Sequence, residues 1–352
     1  MNIGVYSIMT INKSLMVSLE FERISNYIAN WLYSNEEFLN VITVPHNSAS
    51  IFIKAINSYI NAGKRVLYIT NEREEYVDIL SSMRKHISSQ NYSYIRNYKI
   101  ETEKSLIVCN FKNALKIDNK FDLVIYDDIR SLPVYSKYEI IDIMAKNCKE
   151  RGKFIAFSIE SIFKNKREIL LPIYESRMPI IEPRIISTKI DLSNDIPYMI
   201  YDYLRWSIEY GKKVIIYVPD KEKLINVLGY LSAYFKDLNR SLLYFSKESE
   251  ELKIIFNFMK MKRGILITDD FKEKTYFITE DKSINEMVFF ANHCIFDYKK
   301  LVYFCEKTTS AKKNIMREVI FLGNAETQDM YKAKNIIRSF NREAWEKGLL
   351  KI

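Results

Sequence analysis

The sequence predicts an α/β chain of two domains, each a mostly parallel sheet flanked by helices. Three observations carry that expectation. Short, nearly continuous apolar runs alternate with longer amphipathic ones, as in strands buried on both faces beneath covering helices. The pattern recurs in both halves of a 352-residue chain, long enough for two cores. One unit is written twice: AINSYINAGKRVLYITNEREEYVDIL around Gly63 and YLRWSIEYGKKVIIYVPDKEKLINVL around Gly211. Both read helix, glycine stop, two basic residues, buried strand, polar turn, helix.

In the first half the expected strands are Val41–Val44, Val66–Thr70, Leu106–Cys109, Leu123–Tyr126 and Phe154–Ser158. Ile51, Ala55, Ile56, Tyr59 and Ile60 recur at helical spacing, as do Tyr76, Ile79, Leu80 and Met83. In the second half the strands are Val214–Val218, Leu242–Phe245, Ile265–Thr268, Met287–Phe290 and Val319–Leu322. Helices are expected over Tyr198–Tyr210, Lys221–Phe235, Glu248–Met261 and Gln328–Lys347. The domains are expected at 1–180 and 197–352, joined by a linker over about 181–196 that contains Pro183 and lacks a helical period. Tyr203, Trp206 and Tyr210 share a helical spacing and are expected in the core.

Composition narrows the function classes. A net charge of +9 suits a polyanionic partner, and a general lysine bias accounts for it equally well. The four cysteines, Cys109, Cys148, Cys294 and Cys305, form no C-x-x-C pair, so neither zinc nor a disulfide framework is expected. That usage fits a reducing cytoplasm. No apolar run approaches the roughly 20 residues of a membrane span, and Met1–Leu19 lacks the basic front end of a signal peptide. No G-x-S-x-G or H-E-x-x-H arrangement occurs, and His46, His86 and His293 lie far apart. His46, Asn47 and Ser48 suit a helix start. The last helix carries Lys332, Lys334, Arg338, Arg342 and Lys347, with Arg338 and Arg342 on one face, either solvated or a docking surface.

The most informative stretch is FDLVIYDDIRSLP, Phe121–Pro133. A buried strand ends in Asp127-Asp128, where acids face the crevice outside a parallel sheet. In nucleotide hydrolases the first such acid helps hold Mg²⁺ and the second positions water. The stretch resembles the Asp-Glu-Val-Asp-Ala-Phe-Pro segment of the ComFA family, superfamily-2 helicase-like ATPases of DNA uptake. Asp127 falls on the first acid, Asp128 on the Glu, and Arg130 replaces the second Asp. Gly63–Asn71, Leu106–Lys116, Lys153–Ser161, Lys212–Asp220, Arg263–Asp270 and Lys332–Leu350 are similar to further family segments in the same order. The resemblance implies two RecA-like, P-loop NTPase-type domains. It implies nucleic-acid contacts at Thr70, Arg73, Asn110, Lys112 and Thr268.

The nucleotide contacts depart from the family pattern. The loop after the first strand reads VPHNSASIF, Val44–Phe52, with no glycine to wrap phosphate. Asn47, Ser48 and Ser50 form a degenerate P-loop, with Ser50 in the place of the Lys and Ile51 in that of the Ser/Thr. Lys307 stands where the resemblance places an arginine finger, and lysine gives no bidentate contact. The Arg of the first nucleic-acid motif is matched by Glu72, unless the loop is shifted so that Arg73 serves. The family's four-cysteine zinc element is absent.

These departures imply a helicase-related protein that does not hydrolyse ATP, with Asp127 and Asp128 vestigial and no cofactor or metal required. It would bind single-stranded DNA or a competence partner, in the cytoplasm or held at the inner face of the membrane by partners. Two other readings stay open: a working ATP- and Mg²⁺-dependent translocase with unconventional contacts, and a structural assembly subunit that binds no nucleic acid.

Overall fold

The computed structural model describes residues 3–72, 77–83, 92–95, 104–173, 177–236, 241–249, 251–271, 284–307 and 317–351, the side chains of 3–15 and 306–307 excepted. The chain divides into two compact units, Met1–Arg177 with Glu343–Ile352, and Met178–Arg342.

The first unit opens with the long helix α1 (Ile3–Trp31). Then follow β1 (Phe38–Thr43), a 3₁₀ turn (Ala49–Phe52), α2 (Ile53–Asn61), β2 (Val66–Thr70) and α3 (Asp78–Met83). Next are β3 (Tyr92–Ile95), β4 (Leu106–Cys109), α4 (Phe111–Ala114), β5 (Phe121–Asp127), α5 (Lys137–Asn147), β6 (Cys148–Ser158) and β7 (Arg167–Leu171). The seven strands run in the order β3-β4-β2-β5-β6-β1-β7, and every pairing is parallel. β2 and β4 are buried at every residue, which is why their sequences read as continuous apolar runs.

The second unit holds β8 (Arg184–Ser187), α6 (Tyr198–Glu209), β9 (Lys213–Tyr217), α7 (Lys221–Tyr234), β10 (Leu242–Phe245), α8 (Lys253–Lys260) and β11 (Gly264–Thr268). It continues through β12 (Ile284–Phe289), α9 (Tyr298–Lys307) and β13 (Val319–Gly323) into α10 (Gln328–Glu346). Its parallel sheet has the order β10-β11-β9-β12-β13-β8. Leu204, Ile208, Val214, Ile216, Val227 and Ile265 pack one face of it.

The repeated unit folds alike in both places. Gly63 and Gly211 adopt φ of +70° and +72°, the left-handed cap expected after a helix. In each, the next residue reaches back to close the helix end: Lys64 N to Tyr59 O at 2.9 Å and Lys212 N to Ser207 O at 2.7 Å.

Several expectations need correction. β3, β7 and β8 had no strand signal, and each lies at the edge of its sheet. Half-exposed edge strands lack a continuous apolar run: the four residues of β8 include exposed Arg184 and Ser187. β8 falls inside the stretch read as linker. α8 starts at Lys253 rather than Glu248, because Asp269 holds the preceding turn through Lys247 N (2.7 Å). Tyr203 packs against the core as expected, but Trp206 and Tyr210 do not belong to it: Trp206 is 41% exposed and Tyr210 69%. The core face of α6 is carried by Ile200, Leu204, Ser207 and Ile208 instead.

Candidate functional site

The loop after β1 begins under strain. His46 adopts φ of +58°, a left-handed conformation a side chain resists. Its N–H donates to Ile129 O at 2.7 Å, which ties the loop to the chain beyond β5. Asn47 is buried and its side chain is spent on structure. Its Nδ2 donates to Thr43 Oγ1 (2.7 Å) and to Ile173 O (3.1 Å), while its Oδ1 accepts from Ser48 N (2.9 Å). Ser48 caps the 3₁₀ turn by accepting from Ser50 N.

Two further donors of the turn end on one carboxylate. Asp78, the first residue of α3, accepts at Oδ2 from Ala49 N (2.7 Å). Ser48 Oγ lies 2.9 Å from the same oxygen and 2.9 Å from Ser50 Oγ. A carboxylate only accepts, so the Ser48 proton goes to Asp78. Backbone N–H groups opening a helix ordinarily suit an anion; here the anion belongs to the chain.

Arg130 gathers the neighbouring acids. Its Nε donates to Glu72 Oε1 at 2.7 Å, its Nη1 lies 3.9 Å from Asp78 Oδ2, and Nη1 also donates to His46 O (3.4 Å). Glu72 Oε2 accepts from Asp78 N (3.3 Å), and Tyr94 OH donates to Glu72 O (3.0 Å). Burial pushes the Glu72 carboxyl up to about 8, aided by the charge of Asp127 and opposed by Arg130.

Asp127 ends β5 and is fully buried. Tyr68 OH donates to its Oδ2 at 2.5 Å, and Ile129 N donates to Oδ1 at 2.9 Å. Burial raises it to about 6, while those two hydrogen bonds and Arg130 pull it down. Asp128 is buried beside it, with its N–H donating to Phe157 O of β6 (3.3 Å).

The structure thus gathers Asn47, Ser48, Ser50, Asp127 and Asp128 at the C-terminal edge of one sheet. Thr70 and Thr268 end β2 and β11 and fold the same turn, accepting from Glu72 N (3.3 Å) and Asp270 N (3.0 Å). Asn110 caps α4 by accepting from Asn113 N (2.8 Å), leaving Lys112 exposed on that helix. Arg73 lies outside the described residues, as does the side chain of Lys307, whose backbone ends α9. Leu301–Cys305, read with Lys307 as one motif, is buried at every residue of that helix segment. Sequence reasoning missed Tyr68 and Asp78. It noted Glu72 and Arg130 separately, and their opposite signs were the signal that they pair.

Nucleotide and Mg²⁺ do not fit these residues. The donors that would take a phosphate hold Asp78, and the acid that would face the metal holds Tyr68 and Ile129 N. Among the described residues no cluster of His, Cys, Asp or Glu is arranged to hold a metal ion.

Comparison with known proteins places the fold. The chain matches yeast (S. cerevisiae) Dbp5, solved bound to RNA and ADP-BeF₃, with a TM-score of 0.50 over 90% of this chain and 88% of that one, at 12% identity. It matches RecG, solved bound to a three-way DNA junction, with a TM-score of 0.52 over 93% of this chain and 46% of that one, also at 12% identity. The fold is therefore like that of these two structures. Each parallel sheet with its helices is one RecA-like domain. No protein-family model matches the sequence. Over 195 residues, 49% of this chain and 31% of the relative, it is 23% identical to the arginine–tRNA ligase of Sulfurisphaera tokodaii. The chain spans about a third of that curated relative, which does not place it in that enzyme's family. No helix among the described residues is long and apolar enough to cross a membrane.

Proposed function

We propose that this chain is a helicase-related protein that binds single-stranded nucleic acid and does not hydrolyse ATP. The observation that carries the reading is the Asp78 carboxylate, bonded to Ala49 N and Ser48 Oγ where a phosphate would sit. An ATP phosphate entering there would meet a fixed negative charge and find its donors taken. The satisfied state of Asp127 supports the same conclusion. The net charge of +9 and the helicase-like fold, whose similar structures were solved with RNA or DNA, support a nucleic-acid partner. The resemblance to ComFA extends the proposal to DNA uptake, with competence proteins as partners at the inner face of the membrane. Of the nucleic-acid residues assigned by that resemblance that are described, Lys112 is an exposed cation, while Thr70, Asn110 and Thr268 bond their own backbone turns.

Calorimetry with ATP and Mg²⁺, run beside anisotropy of a labelled oligo(dT), tests both halves. The expected result is oligo(dT) binding that weakens with salt and no heat from nucleotide. Hydrolysis stimulated by DNA and abolished in Asp127→Ala would establish a translocase instead. Absence of both activities would leave a structural subunit.

A further inference from the structure

The N-terminal edge of the second sheet, opposite the strand ends that carry Thr268, gathers exposed cations around an exposed aromatic pair. Tyr210 and Lys212 occupy the turn between α6 and β9, and residues 261–263 form the turn between α8 and β11. β9 and β11 are parallel neighbours with Lys213 opposite Gly264, and Gly264 N donates to Lys212 O at 3.3 Å. The two turns therefore lie side by side, about 5 Å apart as adjacent strands are.

On the first turn, the Trp206 and Tyr210 rings lie 5.0 Å apart between centroids, and Lys212 Nζ sits 4.5 Å from the Trp206 centroid. Trp206 and Tyr210 are 41% and 69% exposed. On the second, Lys260, Lys262 and Arg263 are exposed and form no ion pair with the described residues. Capping a helix C-terminus does not account for these three: Lys213 already donates to Met259 O at the end of α8 (2.8 Å). Glu209, the acid next to the rings in sequence, is engaged by Arg205 (3.0 Å).

We propose that this edge is a binding surface for single-stranded nucleic acid, with Lys260, Lys262 and Arg263 on phosphates and a base against Trp206 and Tyr210. Charge complementarity selects a polyanion, and the exposed parts of the two rings suit one whose bases are unstacked. The proposal rests on the nucleic-acid reading above and adds a location that reading does not contain.

The test uses the full chain carrying Trp345→Phe. Trp345 is exposed and Trp31 is 4% exposed, so Trp206 is left as the accessible indole. Oligo(dT) is titrated at about 50 mM salt, where phosphate contacts are strong, and both indole emission and labelled-strand anisotropy are read. The expected result is quenching on binding. Lys262→Glu with Arg263→Glu should weaken affinity about tenfold or more and lower its salt dependence. Trp206→Ala should weaken it about fivefold with the salt dependence kept. All these positions are exposed, so folding is not at stake. If the parent chain binds and the variants bind equally without quenching, this surface is wrong while the broader reading stands. Failure of the parent to bind at all removes both. Competition by polyglutamate as strong as by unlabelled oligo(dT) would make the edge an acidic-protein site and overturn the proposal.

Discussion

Arg130 and Glu72 form an ion pair of 2.7 Å between Nε and Oε1, with side chains only 20% and 5% exposed. The two side chains have opposite signs and meet in space, so each offsets the charge the other buries. Removing one partner leaves the other unpaired, and a broken buried pair costs more than the pair contributes. Arg130→Met should lower stability by about 3 kcal/mol at pH 8.5. Adding Glu72→Gln should restore much of that loss, as urea unfolding of the single and double variants would show.

Protons should stabilise this site. The Glu72 carboxyl keeps its proton to about pH 8 in the folded chain, against 4.5 ordinarily, because it is buried near Asp127. Asp127 keeps its proton to about 6 against 3.8, through burial. Folding therefore takes up protons, and this contribution falls as pH rises through those folded values. Melting temperature should decline between pH 6 and pH 8. Glu72→Gln should flatten that slope; an unchanged slope in the variant would contradict the assignment. Arg130→Met should also cost less at pH 6 than at pH 8.5, since Glu72 is largely neutral there.

Asp78 acts as the chain's own anion. Asp78→Ala should cost about 1 kcal/mol by leaving Ala49 N and Ser48 Oγ without their acceptor. Inorganic phosphate should then raise the melting temperature of the variant and not of the parent. Equal response in both would mean that Asp78 does not block the turn.

Gly63 and Gly211 cap matching helices with φ near +70°, and an added Cβ would meet nothing within 4 Å at either. Gly63→Ala and Gly211→Ala should therefore each destabilise by about 1 kcal/mol, from backbone conformation alone. Unfolding curves of the two variants measure it.

Much of the fold was legible in the chain. Strands β2, β4 and β10 fall on the expected residues, and the glycine stops fall where the helices end. The edge strands β3, β7 and β8 escaped because exposure on one side breaks up the apolar run that marks central strands, whereas edge strand β10 kept its run. The aromatic spacing of α6 was misread because Tyr and Trp serve a core and a wet surface equally well. Of the candidate site, Asp127, Asp128 and the loop from Asn47 to Ser50 were visible because they follow buried strands. Asp78 was not, since nothing local marks a carboxylate that bonds a turn 29 residues away.

Local chemistry thus determined what the elements are: apolar runs bury as parallel strands, and a glycine after a helix takes the left-handed turn. It also determined that the first loop lacks glycine and lysine. Only the tertiary structure decided what the donors of that loop bond to, because the partner of Ser48 and Ala49 comes from α3 and the cation beside Glu72 from beyond β5. Hydrogen bonds and ion pairs depend on distances in space, and parallel strand order brings together residues that the sequence keeps far apart.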